Sequence, residues 1–270
     1  MAKREFKILP CSIAGITAVE ADTRHTFSRH THEQFGVGVI VRGAHKSLSC
    51  RGMVEAGAGN VITVNAGEVH DGAPIGDAGR CWRMLYFDPA RIAETVGDIS
   101  EGKTRDYEFR HPVLIDKQAA DRFRELFDAC TRPNAAIADL EAEALALLLL
   151  REVMRKRRPS AAARSPSRAI AGVKSLIDDQ PTSPIRLNDL ARASGLSRFQ
   201  VLRGFIRSTG LTPHAYLVQR RIDLARRLIA GGTGLADAAA ASGFADQSHM
   251  TRIFVRKYGL SPASYAAAMA

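Results

Sequence analysis

The sequence has few of the features that mark secreted, membrane or metal-thiolate proteins. Its four cysteines are scattered and form no C-x-x-C pair, which excludes a disulfide scaffold and a thiolate zinc site and indicates a reducing compartment. The longest apolar run spans the seven residues 144–150, whereas a membrane helix needs about 20. Residues 1–5 open no apolar run, so we expect no secretory signal. These absences predict a cytoplasmic protein with no membrane partner.

Glutamate is absent after residue 152, and the two halves of the chain differ in charge. Residues 1–150 hold 18 basic and 21 acidic side chains, whereas residues 159–270 hold 15 basic and 6 acidic ones. An acidic first half and a basic second half predict two domains, the second with a polyanion such as nucleic acid as its partner. The alternative is a solvated basic surface without a partner.

The first half has the pattern of an all-β domain followed by helices. Short β-branched or aromatic runs at residues 35–41, 61–64 and 82–87 end at turn signals, which favours a sandwich or barrel. Two helices are predicted next, at residues 117–131 and 134–157. The second is apolar around most of its circumference, which indicates a second subunit as its partner; the alternative is an ordinary helix within one domain. Residues 159–168 are small, polar and bounded by proline, which is typical of a linker.

The second half contains an internal repeat. The stretch GLTPHAY at residues 210–216 matches GLSPASY at residues 259–265, and ASGL at 193–196 matches ASGF at 241–244. Each copy predicts a helix, a glycine turn and a second helix, which is the helix-turn-helix pattern. The first copy has helices at 187–194 and 197–208, and the second at 235–242 and 246–257. Residues 216–230 form a basic amphipathic helix between them.

These residues resemble the DNA-binding domain of the AraC family of bacterial transcription regulators. The resemblance rests on LNDLARASGLSRF at residues 187–199, GLTP at 210–213, RIDLARRL at 221–228 and SGFADQSHMTRIF at 242–254. It implies a protein that binds double-stranded promoter DNA, contacts RNA polymerase and responds to a small molecule. Activation and repression both remain open.

The second helix of each helix-turn-helix copy is expected to enter the major groove and contact bases. Val201 and Phe205 pack inward in the first unit, as do Met250, Ile253 and Phe254 in the second. The outward residues, most of which the resemblance also places at base-contacting positions, are Arg198, Phe199, Leu202, Arg203, Gln247, Ser248, His249, Thr251 and Arg252. Arg203 and Arg252 are the strongest candidates, because arginine pairs bidentately with guanine. Arg207, Arg256, Lys257 and the arginines of the intervening helix are expected to meet phosphate or solvent.

The first half resembles the cupin-like effector domain of the same family. An H-x-H pair, His30 and His32, and the stretch from Gly59 to His70 resemble cupin motifs. A cupin metal site would use His30, His32, His70 and a glutamate, but Gly36 and Val37 occupy the stretch where that glutamate belongs. We therefore expect a pocket without metal or cofactor. The ligand-binding positions implied by sugar-sensing members are Arg42, His70, Trp82 and Met84.

Together these observations predict a multidomain regulator that is not an enzyme. The expected parts are a cupin-like effector-binding domain at residues 1–115, a helical dimerisation region at 116–158, a linker at 159–168 and a DNA-binding domain with two helix-turn-helix units at 169–270. The alternatives are a cupin metalloenzyme fused to a DNA-binding module and an architectural DNA binder that senses no ligand.

Overall fold

A computed structural model describes residues 5–49, 52–103, 107–132, 138–156 and 167–269. The chain divides into two compact units, residues 1–159 and 160–270. Within the described ranges, no helix is both long enough and apolar enough to cross a membrane.

The first unit is a β-sandwich covered on one side by helices, which confirms the predicted fold class. Its strands are β1 (Glu5–Leu9), β2 (Ile16–Thr23), β3 (Phe27–His30), β4 (Phe35–Arg42), β5 (Ala44–Ser49), β6 (Gly52–Gly57), β7 (Val61–Val64), β8 (His70–Pro74), β9 (Arg80–Phe87), β10 (Tyr107–Phe109), β11 (Val113–Leu114) and β12 (Met154–Lys156). Its helices are α1 (Pro89–Ile99), α2 (Lys117–Thr131) and α3 (Ala138–Val153).

Two antiparallel sheets form the sandwich. The larger has the strand order β1-β2-β9-β4-β7-β11, and the smaller has the order β3-β8-β5-β6. Side chains of both sheets meet in one apolar cluster, which includes Phe27, Ala56, Trp82 and Met84. The opposite face of the larger sheet packs on α1, α2 and α3 through a second cluster. Because successive side chains of a strand point to opposite faces, each strand of the larger sheet contributes to both clusters.

The glycines of β4 make room for a side chain of the neighbouring strand. A Cβ on Gly36 would lie 2.6 Å from Met84 Cε, and a Cβ on Gly38 would lie 2.5 Å from Met84 Sδ. These separations are far below van der Waals contact. Glycine at both positions therefore lets Met84 occupy the interior of the sandwich.

The helix predicted at residues 134–157 is shorter than expected at its carboxyl end. It ends at Val153, because Met154, Arg155 and Lys156 leave the helix and pair antiparallel with β10. Burial of the Met154 side chain accompanies this pairing. Residues 134–137 and 157 lie outside the described residues.

The second unit is all-helical, as predicted. Its helices are α4 (Arg168–Asp179), α5 (Leu187–Ser194), α6 (Arg198–Thr209), α7 (Pro213–Ala230), α8 (Leu235–Ala241), α9 (Gln247–Tyr258) and α10 (Pro262–Met269). Helix α4 begins inside the stretch that we predicted as a linker, with Ser167 as its cap. Residues 159–166 of that stretch lie outside the described residues.

Local sequence explains where the two second helices begin. The hydroxyl of Ser197 accepts a hydrogen bond from the backbone N–H of Gln200, whose side chain accepts one from the N–H of Ser197. In the second unit the carboxylate of Asp246 accepts from the N–H of His249 at 2.7 Å. Such caps pair backbone donors that a helix start would otherwise leave open. Both α6 and α9 are thus positioned by their first residues.

Candidate functional site

Helix α6 presents an exposed face at its amino-terminal end. Val201 and Phe205 are fully buried, as predicted, so the opposite side of the helix faces outward. Phe199 is 66% exposed, which is unusual for a large aromatic side chain. The guanidinium of Arg203 lies 5.9 Å from the Phe199 ring, within range of a cation–π contact. Arg198 is also exposed, and Leu202 is half-buried.

Helix α9 has the same arrangement in the second helix-turn-helix copy. Met250 and Phe254 are buried, whereas Gln247, Ser248 and Arg252 are exposed. His249 and Thr251 are half-buried. The His249 ring packs edge-on against Phe244 with a centroid distance of 5.4 Å, so part of this side chain supports the turn before the helix.

Three cations that we predicted to meet phosphate or solvent are instead part of the helical framework. Arg220 forms ion pairs with Asp178 at 3.2 Å and Asp223 at 3.5 Å. Arg221 donates hydrogen bonds to two carbonyl oxygens of the segment between α4 and α5. Lys257 is buried, and this burial lowers its pKa to about 8, against the opposing effect of Asp223.

A second candidate site lies between the two sheets of the first unit. Trp82 and Met84 are buried there, in the cluster that joins the sheets. His70 lies opposite His30 in the register of β8 and β3, and burial lowers its pKa. The structure therefore brings Trp82 and Met84 into one interior and places His70 on the strand that closes it.

Arg42 does not share this interior, which corrects our prediction for it. The register of β4 and β9 shifts between Ile40, which pairs with Trp82, and Arg42, which pairs with Cys81. Such a bulge adds one residue and turns the following side chain to the other face. The exposed Arg42 guanidinium accordingly donates to both carboxylate oxygens of Asp22, at 2.7 and 2.9 Å.

The three histidines of the cupin-like motifs converge. Candidate ligand nitrogens of His30, His32 and His70 all lie within 4.8 Å of one another. The Nδ1–H of His30 donates to the Ser28 carbonyl at 2.7 Å, and that of His70 to the Glu68 carbonyl at 3.1 Å. A carbonyl can only accept, so Nδ1 carries a proton in both rings, and Nε2 is the atom left to ligate a metal. Three imidazoles fit a zinc-type ion with an open fourth position.

One residue of the interior, Arg80, was not predicted from the sequence. Its side chain is 1% exposed, and its Nη1 donates to the His25 carbonyl at 3.2 Å. The guanidinium carbon lies 4.8 Å from the Trp82 ring centroid and 5.8 Å from that of Phe27. Strand alternation could have identified it, because Arg80, Trp82 and Met84 occupy every second position of β9 and so share a face.

His45 also belongs to these surroundings. A Cβ on Gly72 would lie 2.9 Å from the His45 ring and 3.5 Å from Nη2 of Arg80, so all three residues are close neighbours. Burial, together with the smaller effects of Arg80 and His70, lowers the pKa of His45 to about 3. His45 is therefore neutral beside the charged Arg80.

Comparison with known proteins agrees with this two-part architecture. A family model described as an AraC-like ligand binding domain matches residues 13–150, and one described as a helix-turn-helix domain matches residues 190–268. The HTH-type transcriptional regulator YbfI of Bacillus subtilis is 29% identical over 228 residues, which cover 83% of this chain and 81% of YbfI.

Two further relatives show similarity in part of the chain or in fold. The transcriptional activator NphR of Rhodococcus is 37% identical over 82 residues, which cover 30% of this chain and 24% of NphR. The crystal structure of an apo ToxT variant from Vibrio cholerae superposes with a TM-score of 0.58 over 96% of this chain and 99% of that one, at 13% identity, which shows a common fold. The chain therefore belongs to the AraC family of transcription regulators, with an effector-binding domain in its first half and a DNA-binding helix-turn-helix domain in its second.

Proposed function

We propose that this protein reads promoter DNA with α6 and α9 and changes its DNA binding when a small molecule enters the β-sandwich. The observation that carries the proposal is the equivalence of the two helices. Arg203 and Arg252 occupy matching positions of the repeat, and both are exposed. Each can form paired hydrogen bonds to a guanine edge in the major groove. Arg198, Phe199, Leu202, Gln247, Ser248, His249 and Thr251 complete the proposed reading surfaces.

The interior around Trp82, Met84 and His70 is the proposed effector site. It is closed by both sheets, so a ligand there touches elements on either side of the sandwich. Such a ligand shifts DNA binding only if it binds two states of the protein with different affinity. We take this role to be regulatory and not catalytic, because residues 36 and 37 supply no carboxylate beside the three histidines.

A homodimer is proposed to form through α3. Leu140, Ala144, Leu147 and Leu148 are all exposed and fall on one side of this helix. Leu149, Leu150 and Val153 are buried in the apolar cluster that α3 shares with α1, α2 and the larger sheet, so the exposed side is the part of α3 that the first unit does not cover. In the proposed dimer, this exposed side packs on the same residues of a second copy of the protein. By the family resemblance, the promoter-bound dimer is also proposed to contact RNA polymerase.

Footprinting of the full-length protein on its own promoter region tests the DNA-binding part of the proposal. Two protected major-groove segments per protomer, about one helical turn apart, are expected. Affinity is expected to fall about a thousandfold or more between low and moderate salt, because phosphate contacts release counterions. A single short protected segment, or binding that does not depend on salt, would contradict two-helix reading.

A second candidate function, a metal-dependent cupin activity, is favoured by the convergence of His30, His32 and His70. A bound zinc-type ion would supply Lewis acidity at its open position. Elemental analysis of the purified, dialysed protein separates the two candidates. Our first proposal expects less than one equivalent of metal. One equivalent that disappears in His32→Ala, and persists in the control His111→Ala at an exposed position, would favour the second candidate.

A further inference from the structure

Arg80 is a buried cation, and two of its three side-chain nitrogens lack a hydrogen-bond partner among the described residues. It lies in β9 with 1% of its surface exposed. Its Nη1 donates a hydrogen bond to the His25 carbonyl, but Nε and Nη2 have no hydrogen-bond partner among the described residues. Burial lowers its pKa to about 10, so it is still protonated at neutral pH. A buried charge without a hydrogen-bonded counter-charge is costly, which makes its persistence in a folded core informative.

The two open donors lie on the same edge of the guanidinium. The Nε–H and the adjacent Nη2–H point in parallel directions, and their spacing matches the two oxygens of a carboxylate. The donor on the other side, Nη1, is the one that the protein uses itself. Arg80 thus has a two-pronged edge without a hydrogen-bond partner among the described residues, while Nη1 is bonded to the His25 carbonyl.

The surroundings of this edge define the kind of anion. Trp82 and Phe27 flank the guanidinium, and the cluster around them is apolar. The neighbouring His45 is neutral, so Arg80 brings a single positive charge. One charge balances a monoanion, whereas a phosphate ester would carry a second negative charge into an apolar interior. An apolar body matches the rest of the cluster.

We propose that Arg80 anchors the effector of this regulator, and that the effector is a small monocarboxylate with an apolar body. This inference rests on the proposed effector site inside the sandwich and names its ligand class. A carboxylate bound along the open edge would pair both remaining donors of Arg80. Its hydrocarbon part would pack on the Trp82 and Phe27 rings.

Thermal unfolding of the full-length protein tests the inference in two steps. The first compares the ligand-free proteins. Arg80→Met replaces the unpaired charge by an apolar side chain of similar length, so its melting temperature is expected to equal or exceed that of the wild type. If Arg80 instead held the fold together, the same change would lower the melting temperature by about 5 °C or more.

The second step adds probes to each protein. Benzoate, hexanoate and octanoate form the test set, and the corresponding uncharged amides and benzyl phosphate are the controls. At least one carboxylate is expected to raise the wild-type melting temperature by about 3 °C or more, while its amide does not. Arg80→Met should lose this shift, and Arg80→Lys, which keeps the charge without the two-pronged edge, should lose most of it. The surface variant Arg42→Met should keep it.

Three results would overturn the inference. They are a marked loss of ligand-free stability in Arg80→Met, the absence of a shift with every carboxylate, and a shift produced by benzyl phosphate or the amides in place of the carboxylates. Failure of the footprinting experiment would instead overturn two-helix reading of DNA, and it would leave the carboxylate shift standing. The two proposals can therefore fail separately.

Discussion

The Tyr258 hydroxyl donates a 2.8 Å hydrogen bond to Oδ1 of Asp223 and so joins α9 to α7. Asp223 is 2% exposed and also accepts from the side-chain amide of Gln219 at 2.9 Å. The nearby cations Arg220 and Lys257 compensate its charge. One buried carboxylate therefore links α9, the second of the two helices proposed to read DNA, to α7, which lies between the two helix-turn-helix copies.

Removal of this carboxylate is expected to destabilise the helical unit strongly. Asp223→Ala would leave Arg220 and Lys257 without their shared counter-charge, at a cost of about 3–5 kcal/mol. Urea unfolding followed by circular dichroism measures this loss. The control Asp237→Ala, at an exposed position in the first turn of α8, should cost less than about 1 kcal/mol. Equal losses of unfolding free energy in the two variants would show that Asp223 does not hold these interactions together.

The pH dependence of stability is expected to reveal Lys257. Its pKa is about 8 in the folded protein and 10.5 ordinarily, so between these values the unfolded chain binds more protons. Rising pH therefore stabilises the folded state, by at most about 1.4 kcal/mol per pH unit from this group. Unfolding free energies measured from pH about 8 to about 10 should rise in the wild type relative to Lys257→Met. Parallel pH profiles for the two proteins would contradict a lowered pKa.

Two arginines are expected to differ in what they do on DNA. Arg252→Ala, on the exposed face of α9, should cost about 1–3 kcal/mol at the cognate site and relax preference at one base pair. Arg227→Ala, on an exposed part of α7, should weaken binding to all sequences modestly and to a similar degree. Selection of binding sites from a random duplex library measures both effects. The base-reading role of Arg252 is refuted if its variant selects the wild-type sequence.

The exposed strip of α3 is expected to hold the dimer together. Leu148 is 44% exposed and Leu140 is 76% exposed, so charges placed here leave the core of the protomer intact. Leu148→Lys should convert the full-length dimer into a monomer, because the lysine would be buried opposite its own copy. Gln118→Lys, at an exposed position of α2, is the matched control. Analytical ultracentrifugation that finds a monomeric wild type at high concentration would end this proposal.

The helical unit was largely readable from sequence because its information is local. Glycine turns, Ser197, Asp246 and the repeated GL(T/S)P motif fix helix ends within a few residues of themselves. The buried residues of each helix, such as Val201 and Phe205, could also be predicted from their spacing along one helix. What remained hidden was the burial of Lys257 near Asp223, because Asp223 lies on a helix more than thirty residues earlier.

The interior of the sandwich was harder to predict because it depends on strand register. A single bulge after Ile40 moves Arg42 to the outer face, and no spacing rule marks it. Alternation along β9 would have placed Arg80 beside Trp82, but its significance lies in the two donors left open, which only the assembled sandwich shows. The histidines converge because β3 and β8 pair, which the sequence motif alone does not establish.

Helix α7 runs without a break for 18 residues from Pro213 to Ala230, a length of about 27 Å. It contacts α6 through the Phe205 and Tyr216 rings and α9 through Asp223, so α6 and α9 are both attached to one continuous helix. Each base pair inserted between the two contacted segments turns one relative to the other by roughly 34° around the duplex axis. If α6 and α9 both read the duplex, as we propose, promoters served by this regulator should conserve the number of base pairs between the two segments even where no side chain touches a base. Insertions and deletions there are expected to be selected against more strongly than substitutions.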